Sequence, residues 1–147
     1  MIWSFSGRQM TFEKVRMMGI LNVTPDSFSD GGEHFSRERA VEKALEMERV
    51  GADLIDVGGE STRPGAEPVS AEEEIDRILP VVRGIRSRTN LPISVDTTKP
   101  EVARAALEAG CEIINDVDGL NAFPEMARVA EEFRAGPILM HRRGDPR

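Results

Sequence analysis

The amino-acid sequence predicts an α/β fold in which the strands of a parallel sheet alternate with helices. Five short apolar runs, nearly continuous and rich in Val and Ile, are typical of strands buried on both faces. The runs cover residues 15–21, 54–57, 93–95, 113–114 and 138–140. Amphipathic stretches separate them, so the order is β-α-β-α-β-α-β-α-β with right-handed crossovers. The pattern alone leaves open whether the sheet is doubly wound or closed into a barrel.

Start and stop signals delimit the first two helices. The first helix is predicted from Ser36 to Gly51, with four apolar residues on one face: Val41, Ala44, Leu45 and Val50. The second begins at Ser70, which has capping-box spacing with Glu73. Because Pro80 falls inside this second helix, we expect a kink or a break there.

Prolines mark the beginnings of the other two helices. Pro100 lies in the first turn of the third helix, which Gly110 terminates, and Pro124 opens the fourth. The fourth helix is predicted to turn four residues inward: Met126, Val129, Ala130 and Phe133. Ahead of the first strand, residues 2–5 and 11–14 flank a turn at Gly7, which predicts a small hairpin that plugs one end of the sheet.

Composition restricts the class of protein. The 147 residues suffice for one domain, with 39% hydrophobic and 31% charged residues. A net charge of -7 disfavours nucleic-acid binding. No apolar run is long enough for a membrane span, and the start does not resemble a signal peptide. The single cysteine, Cys111, is expected to be a buried thiol, in keeping with a reducing cytoplasm.

Each apolar run ends in polar residues, and in a parallel sheet all these ends lie on one side. The residues are Asn22, Asp56, Asp96, Asn115, Asp116 and His141. Barrels and open sheets both build their sites at the carboxyl ends of strands. A single polar residue could simply mark where a strand stops, but five consecutive ends favour a functional site.

The segments after the first two strands support the same location. Residues 24–36 and 58–70 are long for βα loops and rich in Gly, Ser, Thr and Pro. Their backbone N–H groups and hydroxyls can surround an anion, and Arg63 adds a fork of donors. Phe28 offers a face for stacking. The alternative is that both segments are ordinary surface loops.

Other catalytic patterns are missing from the sequence. The two histidines, His34 and His141, are far apart, and neither a zinc-ligand spacing nor a Ser-His-Asp or Cys-His pattern occurs. Asp26 and Asp30 are expected to form turns rather than to bind a cation. Residues 72–74, all Glu, are expected to form a solvated helix start that favours the helix dipole.

Five segments resemble the signatures of the dihydropteroate synthase family, in the same order and at similar spacing. They are MGILNVTPDSFSDGG (18–32), GGESTRPGA (58–66), SVDTTKPEVARAALEAG (94–110), INDVDGL (114–120) and MHRRGDP (140–146). The resemblance implies a (β/α)8 TIM barrel of which this chain, 1–147, is one domain. It would hold the first four βα units and the fifth strand and stop before strands six to eight.

The resemblance also implies a reaction. The family condenses (7,8-dihydropterin-6-yl)methyl diphosphate with 4-aminobenzoate, giving 7,8-dihydropteroate and diphosphate in folate biosynthesis. Magnesium assists the departing diphosphate, and the expected location is the cytoplasm. The full-length family is homodimeric, but the helices that form the dimer would be absent here. Neither nucleic acid nor membrane is an expected partner.

Residue roles follow by matching the motifs. Asp96 and Arg63 would be catalytic, and Asn22 would bind the magnesium. The substrate-binding residues would be Phe28, Ser61, Thr62, Pro64, Asp96 and Asn115. Asp56 would be a structural partner near the site.

Three interpretations of the chain remain. The first is a transferase fragment, which we expect to be inactive or poorly stable alone. The second is a non-catalytic, truncated pterin-binding or structural half barrel. The third is a methyltetrahydrofolate methyltransferase domain, against which TPDSFSDGG and STRPGA argue strongly.

Overall fold

The computed structural model describes residues 1–24, 33–60, 68–121 and 124–140, without the side chains of 33–35. Strands and helices alternate after an initial pair of strands. The elements in order are β1 (Ile2–Phe5), β2 (Arg8–Thr11), β3 (Met18–Asn22), α1 (Glu33–Arg49), β4 (Leu54–Gly58), α2 (Ala71–Arg86), β5 (Ile93–Asp96), α3 (Pro100–Ala109), β6 (Ile113–Asp116), α4 (Glu125–Phe133) and β7 (Gly136–Leu139).

Strands β3 to β7 form one parallel sheet in which each strand pairs with its neighbour in sequence. This confirms the predicted alternation of strands and helices. The first strand begins at Met18 rather than at the predicted residue 15, and Val15 and Met17 are 82% and 60% exposed. The Met17 N–H donates a hydrogen bond to the Asp53 carboxylate at 2.9 Å, and the Met17 carbonyl accepts bonds from the N–H groups of Asp53 and Leu54.

Alternate residues of the sheet face the helices and form the main hydrophobic core. This helix-facing set consists of Leu21, Ile55, Val57, Ile93, Val95 and Ile114, packed with buried residues of all four helices. Burial of such side chains stabilises the fold by roughly 1.5–3 kcal/mol each. Since side chains alternate along a strand, the residues between them lie on the opposite face of the sheet.

Helices α1 and α2 differ from their predicted forms in three details, whereas the predicted cap of α2 is confirmed. Helix α1 begins at Glu33 rather than Ser36, and Val50 lies beyond its end, 81% exposed. The Ser70 cap is confirmed, because its hydroxyl accepts a hydrogen bond from the Glu73 N–H at 3.1 Å. Helix α2 runs without a break through Pro80. The carbonyl that Pro80 leaves without an intrahelical donor belongs to Asp76, an exposed residue.

Helices α3 and α4 follow the sequence signals closely. Pro100 stands in the first turn of α3, and Gly110 ends the helix with a φ of 121°, which suits glycine. Met126 and Val129 of α4 are buried as predicted. None of the helices in the described ranges has the length and the apolar character that a membrane span requires.

The hairpin covers the amino-terminal ends of the parallel strands, as predicted. Ser6 and Gly7 both have positive φ, which gives a two-residue turn that places Arg8 opposite Phe5. The second strand is therefore Arg8–Thr11, and its prediction at 11–14 is wrong. Four residues from the hairpin and the sheet form a second apolar cluster: Phe5, Met10, Leu54 and Ile113.

Candidate active site

Three of the predicted site residues lie in one row across the sheet. Register partners across the five strands are Asn22, Gly58, Asp96, Asn115 and Ile138. Because Leu21, Val95 and Ile114 face the helices, this row lies on the opposite face at the carboxyl ends of the strands. We call it the site row, and it brings Asn22, Asp96 and Asn115 together as predicted.

Gly58 makes a recess in the site row. A Cβ atom on Gly58 would lie 3.4 Å from the Asp96 Cβ and 3.5 Å from its Oδ2. A glycine between Asn22 and Asp96 therefore leaves one side of the carboxylate free of a neighbouring side chain.

Asp56 lies two residues before Gly58 in β4, on the same face as the site row, and is 2% exposed. Asn115 Nδ2 donates a hydrogen bond to Asp56 Oδ2 at 3.0 Å, which agrees with a structural role for Asp56. The amide oxygen Asn115 Oδ1 is buried and finds no hydrogen-bond partner in the described residues. A buried acceptor of this kind can receive a donor from a ligand.

Electrostatic repulsion and burial act together on Asp96. The pKa of Asp96 is raised to about 7, first by burial and then by neighbouring carboxylates. These carboxylates are Asp56, Glu74, Asp116 and Glu60. Burial also raises the pKa of Asp56. A positive charge that develops near Asp96 would therefore stabilise its ionised form strongly.

Asp116 follows Asn115 in the sequence but has a local structural task. Its Oδ1 accepts a hydrogen bond from the Asp118 N–H at 2.9 Å, and its Oδ2 accepts one from the Leu120 N–H at 2.8 Å. Both bonds close the turn after β6, so this carboxylate shapes the loop.

Asn22 ends β3 with an exposed side chain. The described ranges contain no group of three or more His, Cys, Asp or Glu side chains arranged to hold a metal ion. A carboxamide oxygen is a hard ligand, and Mg²⁺ typically takes few protein ligands and fills its other positions with water and phosphate oxygens. Asn22 therefore fits a metal ion that arrives with a phosphorylated ligand.

Several predicted site residues lie outside the described residues, and their roles stay predictions. They are Phe28, Ser61, Thr62, Arg63 and Pro64. The same holds for Asp26, Asp30 and His141, and for the side chain of His34.

Sequence reasoning missed a cluster of charges beside the site row. Glu74 is 0% exposed, so the prediction that residues 72–74 are all solvated is wrong for Glu74. Lys99 Nζ donates to Glu74 Oε2 at 2.8 Å and also binds Glu60. The spacing of the sequence already indicated that Glu74 is buried, because Glu74 precedes Ile78 by one helical turn and Val82 by two, on the buried face of α2.

Comparison with known proteins identifies the family. The family model for pterin binding enzymes matches residues 18–147. The chain belongs to the pterin binding enzyme family. Among pterin binding enzymes, the dihydropteroate synthase of Synechocystis sp. is 51% identical over 134 residues, which cover 91% of this chain and 46% of that protein.

Solved structures of related enzymes match the fold. The Xanthomonas albilineans dihydropteroate synthase with 4-aminobenzoic acid has a TM-score of 0.90 at 50% identity, over 98% of this chain and 52% of that chain. The complex of the enzyme from the same organism with 7,8-dihydropteroate has a TM-score of 0.83 at 46% identity, over 95% and 50%. The chain spans about half the length of these relatives, and its five-stranded parallel sheet with alternating helices matches their fold.

Proposed function

We propose that this chain carries the pterin-binding part of a dihydropteroate synthase. The enzyme would condense (7,8-dihydropterin-6-yl)methyl diphosphate with 4-aminobenzoate to 7,8-dihydropteroate and diphosphate. The observation that carries the proposal is the site row, in which Asp96 is the register partner of Asn115, whose Oδ1 is a buried acceptor. A pterin ring presents N–H donors along one edge, and two adjacent acceptors suit that edge.

Asp96 has a second task in the proposed reaction. The amine nitrogen of 4-aminobenzoate attacks the methylene carbon of the pterin, the carbon–oxygen bond to the diphosphate breaks, and the amine proton passes to water. Positive charge builds on the pterin as the diphosphate departs. A preorganised carboxylate in a partly dehydrated site stabilises such charge by a few kcal/mol, on the order of one oxyanion-hole donor. The raised pKa of Asp96 falls as this positive charge develops.

The remaining roles are assigned by motif. Arg63 would assist catalysis, and Phe28, Ser61, Thr62 and Pro64 would contact the substrates. By the same resemblance, Thr62 and Arg63 would contact 4-aminobenzoate. Asn22 would hold Mg²⁺, which when bound neutralises charge on the leaving diphosphate. We also propose a cytoplasmic location, where the single thiol, Cys111, stays reduced.

Calorimetry with the pterin diphosphate and Mg²⁺ tests the proposal. Wild type should bind, and Asp96→Ala should weaken binding by about 1.5–3 kcal/mol, since a hydrogen bond to a charged group is lost. Arg88→Met is the control, because Arg88 pairs with the exposed residues Glu38 and Glu42. Unchanged binding in Asp96→Ala would remove the assigned role.

A turnover assay with both substrates, run on the complete gene product that contains this chain, separates the transferase from the non-catalytic alternative. Formation of 7,8-dihydropteroate supports the transferase. Pterin binding without product supports a pterin-binding half barrel. Methyl transfer from methyltetrahydrofolate would instead favour the methyltransferase interpretation.

A further inference from the structure

An ion cluster joins three separate elements beside the site row. Lys99 lies between β5 and α3, Glu60 follows β4, and Glu74 lies in α2. The side chains of Lys99, Glu60 and Glu74 are 20%, 28% and 0% exposed. One ammonium group therefore binds two carboxylates, one of them fully buried, in a partly dehydrated setting. In such a setting, loss of one partner costs much more than at a solvated surface.

The backbone of Lys99 is held by neighbouring contacts on both sides. The Lys99 N–H donates a hydrogen bond to Thr97 Oγ1 at 3.1 Å, and the next residue, Pro100, is buried in the first turn of α3. Asp96 stands three residues before Lys99, at the end of β5. The position of the ammonium group is thereby coupled to the strand that carries Asp96.

Glu74 needs Lys99 as its counter-charge. Lys99 Nζ lies 2.8 Å from Glu74 Oε2, whereas Glu74 Oε1 is buried and finds no hydrogen-bond partner in the described part of the chain. Gly59 lies against the same side chain, since a Cβ on Gly59 would be 3.1 Å from Glu74 Cγ. The close approach of backbone to Glu74 leaves the carboxylate little room to rearrange.

Glu60 connects the cluster to both ends of residues 61–67. It directly precedes that segment, and its Oε1 accepts a hydrogen bond from the Val69 N–H at 3.2 Å. The carbonyl of Gly59 accepts a second bond, from Arg77 Nη1 at 2.8 Å. One carboxylate, held by Lys99, thus contacts the backbone on the far side of the segment.

We infer that Lys99 is a positioning residue that holds Glu60 and Val69, which lie on either side of residues 61–67 in the sequence, relative to Asp96. Lys99 binds Glu60, which in turn accepts the hydrogen bond from the Val69 N–H. Lys99 also binds Glu74, which ties Glu60 and Val69 to α2. The catalytic consequence rests on the proposed function, in which Thr62 and Arg63 of the segment contact 4-aminobenzoate. Lys99 itself need touch no substrate.

Amide hydrogen exchange at Val69, measured in the complete gene product that contains this chain, directly tests whether Lys99 holds Glu60 against the Val69 N–H. Lys99→Met should speed exchange of this amide about tenfold, as expected when a charge-assisted contact is lost, while Lys99→Arg should restore most of the protection. Arg88→Met removes an equal charge from an exposed ion pair and should leave Val69 unchanged. If Lys99→Met and Arg88→Met give the same exchange at Val69, the inference is wrong.

A double variant guards against misfolding from an unpaired buried carboxylate. Lys99→Met with Glu74→Gln leaves no unpaired buried carboxylate at position 74, yet Glu60 still lacks its ammonium partner. Val69 exchange should again rise about tenfold relative to wild type. Wild-type protection in a folded double variant would overturn the inference.

Kinetics then separate this inference from the proposed function. Lys99→Met should raise KM for 4-aminobenzoate about tenfold and change KM for the pterin diphosphate less than about twofold. Equal effects on both KM values would indicate a general structural role and reject the positioning role. Absence of turnover in wild type, together with the expected Val69 exchange, would reject the proposed function and leave the positioning intact.

Discussion

Asn115 Nδ2 lies 3.0 Å from Asp56 Oδ2, and this buried hydrogen bond spans from β6 to β4 over the strand between them. A carboxylate accepts hydrogen bonds only, so it requires the NH₂ group of Asn115 to face it. The amide oxygen of Asn115 must then point elsewhere, where it can accept a bond from a ligand. Asp56 thereby decides which atom of Asn115 is available.

The first prediction concerns this pair. Asp56→Ala should lower the free energy of unfolding by about 1–3 kcal/mol, because Asn115 Nδ2 is left buried without its acceptor. Asp56→Asn can still offer an amide oxygen to Asn115 and should cost less. Urea denaturation measures both variants, with Glu38→Gln in an exposed pair as a control that changes stability by less than about 0.5 kcal/mol. Equal losses for Asp56→Ala and Asp56→Asn would contradict the argument.

The second prediction is a dependence of stability on pH. The pKa of Asp96 is raised from 3.8 to about 7 in the folded protein, mainly by burial. Between these values the folded protein binds more protons than the unfolded chain, so the free energy of unfolding falls as pH rises, by at most about 1.4 kcal/mol per pH unit.

Asp96→Asn removes this titration and supplies the comparison. Denaturation of wild type and variant at intervals from pH 4 to 7.5 should show wild type losing stability relative to Asp96→Asn. The raised pKa of Asp56 acts in the same direction in both proteins, so the difference between their curves reports Asp96 together with its interaction with Asp56. A difference that stays level, or that rises with pH, would show that Asp96 ionises normally.

The third prediction concerns the close contact between the hairpin and β7. A Cβ on Gly136 would lie 2.6 Å from Trp3 Cζ2 and 2.9 Å from Phe5 Cβ, so Gly136→Ala must push the hairpin away from β7. We expect a loss of about 1–3 kcal/mol in unfolding free energy and a red shift of fluorescence from the single tryptophan.

Gly19→Ala is the matched control for this steric argument. Its Cβ would come within 2.8 Å of Met47 Sδ, which is part of a flexible side chain that can move aside. Its loss of stability should be smaller, without a change in tryptophan emission. If the two variants cost the same and leave the emission maximum of Trp3 in place, the hairpin does not depend on close contact with Gly136.

The fourth prediction concerns Cys111. The thiol is 4% exposed, and burial raises its pKa, so little thiolate forms and reagents cannot reach it. Reaction with a disulfide reagent at neutral pH should be at least about a hundredfold slower in the native protein than in urea. Cys111→Ala should abolish the reaction in urea, which confirms that the signal comes from this residue. Fast labelling without denaturant would show that the end of α3 opens readily.

Local patterns in the sequence determined most of the fold and the site row. Runs of Val and Ile located the strands, and Ser70, Pro100 and Gly110 located helix ends, because caps and turn residues act within a few positions of themselves. Asn22, Asp96 and Asn115 could be placed together because parallel strands deliver their carboxyl ends to one edge. The family motifs then assigned chemistry to those positions.

Only the tertiary structure decided the pairing of Glu74 with Lys99 and the bond from Asn115 to Asp56. Each of these contacts joins residues more than twenty positions apart, and each depends on how α2 and the strands pack, which no local pattern encodes. The continuous course of α2 through Pro80 has the same origin, because buried contacts of Val81, Val82 and Ile85 outweigh one missing backbone bond. The sequence located the site by itself, and packing decided which of its polar atoms remain available to a ligand.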